Sequence, residues 1–376
     1  MKSILYFIKK EFLQFKRDPK MFGMILVAPV LQLVFFGLAA NLDVDNVKTL
    51  VYDMDKSYAS RNFIERFTSS GYFEIKDYAN NYDDVTEALD QAEVTLALVI
   101  PSDFEEKINR RETVKVQALF DGSDGNSASI SAGYVQGITG EYSKNILVDF
   151  LHKSGAAFIP ASNINAEVRV WYNPTLKTRK YMVPAIVGLL LTLITLILTS
   201  LAVVKEREIG TMEQLIVTPL KPYQMIIGKL VPFMILGFIS VIIVLTSMRF
   251  IFNIPIVGSI TFLFFASFLY ILSTLGLGLF VSTISKTQQQ AMMISIFAVM
   301  MPMIYLSGFA FPIENMPTII QYISYLIPLK YFLTIIRGII LKGIGFAELW
   351  QDAFVLLLMG TLILIMSAFR FSKKIE

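Results

Sequence analysis

The chain has 376 residues, of which 55% are hydrophobic and only 17% are charged, and its mean hydropathy is +0.59. Ordinary soluble domains are less apolar, so the composition indicates a protein of the lipid bilayer. The net charge is +3 and cysteine is absent, which excludes disulfides, iron–sulfur clusters and thiol catalysis.

Residues 1–20 predict a cytoplasmic amphipathic helix. Ile4, Ile8, Phe12 and Phe15 recur at helical spacing, and most of the basic side chains lie on other faces. Two interpretations stay open: a helix lying on the inner membrane surface, or a basic anchor that only fixes topology.

Six apolar runs approach the roughly 20 residues that a transmembrane helix needs. They are residues 22–40, 181–204, 230–252, 260–284, 291–311 and 353–369. We therefore predict an α-helical integral membrane protein with about six spans, the first within 21–41 and the others within 179–376. The FFGLAAN stretch imitates a signal-peptidase site, but the polar region before it is too long for a signal peptide.

The distribution of charge predicts the orientation. Residues 42–177 carry 21 acidic and 13 basic residues, whereas the rest of the chain carries 9 and 20. Because basic residues near span ends stay in the cytoplasm, we expect both termini inside and residues 42–178 outside.

Residues 42–178 predict an extracytoplasmic α/β domain with a mixed sheet, because strand-like and helix-like runs alternate. The predicted strands are 47–53, 72–78, 94–101, 114–121 and 167–173. The predicted helices are 58–68, 82–91, 103–110 and 127–150.

Thr318–Leu341 is apolar enough to be a further span, but Pro328, Lys330 and Arg337 interrupt it. A crossing would place the basic C-terminus outside. We therefore expect an outer re-entrant region over 312–346.

Residues that could carry catalysis are scarce, and we predict neither a catalytic nor a metal site. His152 is the single histidine, and DGSDGN at 121–126 lacks the calcium-loop register. Asp43, Asp45, Asp53 and Asp55 are better explained as solvated strand ends than as cation ligands.

No stretch matches the phosphate-binding motif of nucleotide hydrolases, since Gly228-Lys229 is followed by leucine. The chain is thus not an enzyme, and any ATP chemistry must come from a partner.

Residues 205–229 form a charged, proline-punctuated stretch between the second and third spans. The second helix is expected to continue through Glu208 and to break at Gly210. Thr211 and Gln214 fit a capping box for a new helix, on which Leu215 is an exposed apolar residue. Such a helix can dock into another protein's groove; the alternative is a solvated turn.

The same stretch, KEREIGTMEQLIVTPLKPYQMIIGKLVP, resembles the cytoplasmic signature of type-2 ABC exporter permeases. VYDMDKSYASRNFIERFTSSGYFEI, LALVIPSDFEEKI and SGFAFPIENMPTIIQYISYLIPLKYF agree in the same order. The resemblance runs almost end to end and is closest to the drug-efflux-like branch with a large external domain.

The resemblance implies two functional regions. A coupling helix and the segment leading to it would receive the motion of the ATPase. The residues that match the family's signature here are Glu206, Arg207, Glu208, Gly210, Thr211 and Glu213. We add Gln214, from the predicted capping box, and Leu215, from the exposed apolar side of the predicted helix. An outer gate would contain Ser307, Gly308, Phe311, Pro312, Pro317, Pro328 and Tyr331.

The resemblance also implies the partners: two ABC ATPase subunits that bind ATP and Mg, a second copy or a sister permease, and the lipids of a bacterial plasma membrane. No nucleic acid is expected, and docking of a periplasmic adaptor stays open. The implied function is export of a hydrophobic or amphiphilic compound by alternating access. Lipid or polysaccharide export and a mechanotransmission or sensor role are the alternatives.

Candidate pathway residues lie in the second and fifth spans: Thr192, Thr195, Thr199, Met293, Met300 and Tyr305. Methionine and aromatic surfaces adapt to varied apolar ligands. For each residue, ordinary helix packing is the alternative.

Overall fold

The computed structural model describes residues 2–17, 23–40, 43–44, 46–153, 171–174, 177–210 and 222–372. The chain divides into two compact units, one of residues 1–41 and 169–376 and one of residues 42–168. We call the first the helical bundle and the second the α/β unit.

The bundle begins with the amphipathic helix α1 (Lys2–Arg17). A second helix starts as a π-helical stretch, Gly23–Val27, and continues as α2 (Ala28–Ala39). Its apolar part, Ile25–Ala39, is shorter than a usual span. The predicted first span at 22–40 is therefore helical over most of its length, and residue 22 lies outside the described part of the chain.

The described residues of the α/β unit form four strands and four helices. In chain order they are β1 (Val47–Asp53), α3 (Tyr58–Ser69), β2 (Phe73–Tyr78), α4 (Tyr82–Asp90), β3 (Leu96–Ile100), α5 (Phe104–Arg110), β4 (Gln117–Phe120) and α6 (Gly125–Lys153).

The strands form one mixed sheet in the order β2-β1-β3-β4. β1 pairs in parallel with both β2 and β3, and β4 runs antiparallel to β3. The apolar residues of β1 and β3 pack against Phe63 and Phe67 of α3 and Phe104 of α5. The predicted mixed sheet is confirmed, but the fifth predicted strand is not: residues 171–173 form no strand, and residues 167–170 lie outside the described ranges.

The bundle then continues with further helices of varied length. They are α7 (Thr178–Glu208), α8 (Pro222–Ile251), α9 (Ile260–Ile284), α10 (Gln288–Met293), a π-helical stretch (Ile294–Met300), α11 (Met301–Leu306), α12 (Thr318–Ser324), α13 (Pro328–Arg337), a second π-helical stretch (Gly338–Lys342) and α14 (Phe346–Ser372). The side chains of α7 are largely buried between α8, α9 and α13, so α7 is the central helix of the bundle.

Five helices of the described residues are long and apolar enough to cross a membrane. They span 178–208, 223–251, 260–284, 288–306 and 346–371, and they coincide with the last five predicted spans. Thr318–Ser324 and Pro328–Lys342 form a pair bent by 81°, which would make a sixth span if it crossed as one. The chain is thus mostly helical, with five to six candidate spans.

Two helix ends differ from the ends of the predicted apolar spans for identifiable reasons. The third was expected to begin at Leu230, after a charged residue, but α8 begins at Pro222 because Lys229 is buried and paired rather than solvated. The fifth was expected to reach Phe311, but the helix ends at Leu306, shortly before Gly308 adopts a left-handed φ of +81°.

Candidate functional site

Four charged side chains meet at the end of the bundle where α7 ends, and we call this group the ionic cluster. The carboxylate of Glu206 lies 2.9 Å from the ammonium of Lys10 and 2.7 Å from that of Lys229. Glu11 lies 3.1 Å from Lys10 and 3.8 Å from Lys229. The cluster therefore links α1 to both α7 and α8.

Three of the four side chains in the ionic cluster are buried, Lys10 is partly exposed, and the formal charges of the cluster cancel. Lys229 is only 3% exposed, and Glu11 and Glu206 are each 8% exposed. Burial lowers the pKa of Lys10, but its hydrogen bond to Glu206 and the charges of Glu11 and Glu206 outweigh this, so its pKa lies above the ordinary value. Removing one partner of such a buried pair typically costs about 3–5 kcal/mol, because the other charge is left uncompensated.

The packing of α1 places Lys10 and Glu11 in the cluster. The ring of Phe7 lies so close to Gly228 that a Cβ added at that glycine would be 2.2 Å from the ring. Phe7 and Glu11 are buried, whereas Leu5, Tyr6 and Leu13 are exposed. Ile4, Ile8, Phe12 and Phe15 are only half-buried, so the predicted apolar face is not the most buried face of α1.

Arg207 holds the neighbouring helix α9. Its Nη1 donates to the carbonyl oxygens of Ser282 and Ser285, at 3.1 Å and 3.0 Å. These acceptors belong to the last turn of α9 and the residue after it, where helix carbonyls lack partners within the helix. A cation is favourable at this end of a helix dipole.

Glu208 holds the start of α10. Its carboxylate accepts hydrogen bonds from the backbone and the side-chain amide of Gln288, the former at 2.8 Å. An anion is favourable at the first turn of a helix, where backbone donors are free. Glu206, Arg207 and Glu208 thus attach different neighbouring elements to the same end of α7.

Gly210 follows the end of α7 with a φ of +78°, a conformation that glycine adopts without strain. The predicted helix break is therefore seen at this residue. Thr211, Glu213, Gln214 and Leu215 lie outside the described residues, so the coupling helix itself stays a prediction. The predicted cytoplasmic stretch 205–229 is in part helical, since 205–208 belong to α7 and 222–229 to α8.

Residues of the predicted gate lie at the opposite end of the bundle. The carbonyl of Gly308 accepts a hydrogen bond from Nη1 of Arg337 at 3.1 Å. Phe311 stacks on Tyr305, with ring centroids 6.3 Å apart, and Tyr331 donates to the carbonyl of Tyr325.

The remaining gate residues bound short elements. Pro312 precedes the 3₁₀ turn Ile313–Asn315, Pro317 precedes α12, and Pro328 is the first residue of α13. Ser307 is buried, and its hydroxyl has no hydrogen-bond partner among the described residues.

The six candidate pathway residues do not share one surface. Thr192 and Thr195 are buried and donate to backbone carbonyls one turn earlier, and Thr192 also bonds Tyr270 of α9. Thr199 and Met300 are buried as well.

Met293 and Tyr305, by contrast, are 52% and 48% exposed. They continue a face with Phe297 and Met301, which are also exposed. This exposed face runs along the π-helical stretch Ile294–Met300, which contains Phe297, and such stretches are frequent at functional sites.

Three of the aspartates singled out in the α/β unit have identified hydrogen-bond donors, and Asp45 lies outside the described residues. Asp53 accepts from the hydroxyl of Ser60 and the backbone of Lys56, and Asp55 accepts from the backbone of Glu105. Asp124 accepts from two backbone amides after it, as expected of turn chemistry. Within the described ranges, no group of three or more His, Asp or Glu side chains could hold a metal ion.

Sequence reasoning missed the contributions of Lys10, Glu11 and Lys229. The sequence contained a feature that could have indicated a buried ion pair, because Lys229 and Glu206 are charged residues that flank apolar runs. Lys10-Glu11 places both signs on a helix that was interpreted only by its apolar residues. What the sequence could not supply was the contact of Phe7 with Gly228, which brings α1 against α8.

The comparisons with known proteins agree with this architecture. A family model described as "ABC-2 family transporter protein" matches residues 19–369. The chain is 33% identical to the probable multidrug ABC transporter permease YbhR of Escherichia coli K12, over 93% of each chain. It is 34% identical to the probable multidrug ABC transporter permease YbhS of the same organism, over 89% of this chain and 87% of the relative. It is 26% identical to the inner membrane transport permease YhhJ, over 86% and 85%. The resemblance inferred from the quoted stretches is thereby confirmed, and the chain belongs to the ABC-2 family of transporter permeases.

Proposed function

We propose that this permease is the membrane subunit of an exporter that moves a hydrophobic or amphiphilic small molecule out of the cytoplasm or the inner leaflet. Two separate ATPase subunits bind and hydrolyse ATP with Mg, and the permease supplies the path and the gate. A second copy or a sister permease completes the pathway in the plasma membrane of a bacterium.

The observation that carries the proposal is the set of contacts made by Glu206, Arg207 and Glu208. They attach α1, α8, α9 and α10 to the same end of α7, a few residues before the predicted coupling helix at 211–217. A push on that helix is therefore transmitted to several helices through short polar contacts. In this proposal the end that carries the ionic cluster is cytoplasmic, and the α/β unit lies outside.

Two features support an apolar cargo. The exposed face of Met293, Phe297, Met301 and Tyr305 presents adaptable side chains, which suit varied hydrophobic ligands. The relatives YbhR and YbhS carry the printed description of probable multidrug permeases. The opposing protomer would cover part of this face and leave the remainder to line the path.

The test is reconstitution of the permease with its ATPase in proteoliposomes, with ATP turnover and export of a hydrophobic dye as readouts. We expect Glu213→Arg to abolish both activities while the complex still folds. Glu93→Arg, an exposed residue of the α/β unit, is the matched control and should leave both unchanged.

Dye export by the Glu213→Arg variant at the wild-type rate would contradict the coupling role. ATP turnover by the wild type without dye export, but with transfer of a labelled lipid, would instead favour lipid export. A wild type that transports neither would favour a sensor role.

A further inference from the structure

Arg337 is a cation whose hydrogen-bonding capacity is only partly used. Its Nη1 donates to the carbonyl of Gly308 at 3.1 Å, and its guanidinium carbon lies 3.7 Å from the centre of the Tyr181 ring. Its Nε and Nη2 are shielded from solvent and have no well-aligned hydrogen-bond partner among the described residues, although the Tyr181 side chain lies close enough to contact the guanidinium. Shielding charged donors without an acceptor is costly, so this arrangement calls for an explanation.

The two unused donors define the chemistry of the missing acceptor. Nε and Nη2 lie on one edge of the guanidinium, and this edge fits the two oxygens of a carboxylate or phosphate side by side. No ion pair of the described residues includes Arg337. The acceptor is therefore expected to come from outside the part of the chain described here.

The surroundings of Arg337 favour an amphiphile over a free inorganic ion. The residue ends α13, whose buried side chains include Phe332, Leu333 and Ile336. Tyr181 covers one face of the guanidinium, as aromatic rings do for cations in apolar settings. A ligand that reaches this edge must bring an oxyanion and tolerate apolar neighbours.

We propose that Arg337 is the oxyanion-binding residue of the predicted gate, and that it takes the single carboxylate or phosphate of an amphiphile. Both unused nitrogens are shielded, so the site is closed in this structure. The site can open if the hydrogen bond to Gly308 breaks or if the 81° bend before α13 changes. This inference rests on the proposed function and adds that a ligand bound at the gate carries a negative charge.

The two sources of such a ligand are a free acidic amphiphile and an anionic lipid of the bilayer. A binding assay distinguishes them and needs neither ATP nor the ATPase. A failed transport assay and a failed binding assay can therefore be told apart.

The permease is placed in nanodiscs of neutral phosphatidylcholine, and binding of 12-(9-anthroyloxy)stearic acid is compared with binding of its methyl ester. The wild type should bind the acid about tenfold more tightly or better, the gain of a bidentate charged hydrogen bond. Arg337→Gln should remove this preference and leave binding of the ester unchanged. Arg337→Lys, which keeps the charge but loses the planar edge, should retain only part of it.

Arg249→Gln is the matched control, because Arg249 is an exposed arginine near the end of α8. It should keep the wild-type preference for the acid. The proposal is overturned if the wild type shows no preference, if Arg337→Gln keeps it, or if Arg249→Gln loses it equally. If Arg337→Gln does not fold, an unchanged preference in Arg337→Lys overturns the bidentate site.

Replacing part of the neutral lipid with phosphatidylglycerol identifies the source. Competition by this lipid that disappears in Arg337→Gln supports the site with a lipid as its occupant. Unchanged binding of the acid supports the site with a free amphiphile.

Discussion

The ammonium of Lys229 lies 2.7 Å from the carboxylate of Glu206, and both groups are almost fully shielded from solvent. Lys229 belongs to α8 and Glu206 to α7, so the pair joins the two helices that flank the predicted coupling segment. With Lys10 and Glu11 of α1 it forms a neutral group in which each charge has a partner. This contact is the most direct structural basis for treating this end of the bundle as one mechanical unit.

Replacing Lys229 with methionine should destabilise the permease strongly. Glu206 would keep Lys10 but lose its closest cation, and we expect a loss of about 3–5 kcal/mol in the free energy of unfolding. Denaturant unfolding of the purified protein in detergent measures this loss. The double variant Lys229→Met/Glu206→Gln should recover part of it, and strict additivity of the two changes would contradict the pairing.

Gly228→Ala should loosen α1 from the bundle. A Cβ at this position would collide with the ring of Phe7, so either the ring or one of the two helices must shift. Hydrogen exchange of the α1 amides should accelerate in the variant. Truncating the ring in Phe7→Ala/Gly228→Ala removes the clash, so it should slow that exchange again relative to Gly228→Ala.

Gly133→Ala in α6 is the control for this prediction, because nothing lies within 4 Å of the Cβ that it would add. It should leave the exchange of α1 unchanged. Equal protection of α1 in the wild type and in Gly228→Ala would show that the contact does not hold the helix.

The exposed face near the π-helical stretch and the buried threonines should respond differently to substitution. Met293→Ala should change the apparent affinity for an exported dye and leave folding stability nearly unchanged, because the side chain is 52% exposed. Thr195→Val should instead cost about 1 kcal/mol of stability, since its hydroxyl bonds both Leu191 and Thr274. Export kinetics and denaturant unfolding of both variants provide the measurement. If only Thr195→Val changed the affinity for the dye, Thr195 rather than Met293 would line the pathway.

Acid should destabilise the start of α6 through Asp124. The side-chain hydrogen bond from Ser127 and the backbone amides of Ser127 and Asn126 hold its pKa below the ordinary value of 3.8. A lowered pKa in the folded state means that the stabilisation is present above that ordinary value and is lost as the pH falls through the lowered one. Below the ordinary pKa of 3.8, amides in the first turn of α6 should therefore exchange faster than the intrinsic pH dependence of amide exchange alone predicts.

Asp124→Asn keeps a capping oxygen but cannot titrate. Its first turn should follow only the intrinsic acid dependence of exchange. The same excess acid effect in the variant would assign it to another group.

The sequence predicted most of the architecture because its signals are local. Apolar runs of span length gave five long helices, and alternating strand and helix patterns gave β1–β4 with α3–α6. Boundaries were less accurate where a charge was assumed to face water: Lys229 was treated as the end of a loop, although its partner Glu206 allows it to be buried within α8.

The site was only partly predictable, because its contacts are distant in sequence. The role of Glu206, Arg207 and Glu208 came from a resemblance, and their partners Lys10, Ser282 and Gln288 lie about 75 to 196 positions away. The burial of Thr192 and Thr195 against α9 could not be read from a span that is apolar on all sides. Arg337 was noted only as an interruption, since its shielding depends on Tyr181 and Gly308.

In the proposed function, residues 211–217 are the contact through which the ATPase drives the permease. Because the chain has no cysteine, Glu213→Cys introduces a single reactive thiol. It should cross-link to the ATPase subunit through a short bifunctional reagent, with a yield that changes between the nucleotide-free and ATP-bound states. Glu93→Cys in the α/β unit should give no cross-link. A complex in which Glu213→Cys never cross-links to the ATPase, while Glu93→Cys does, would contradict both the coupling contact and the proposed orientation.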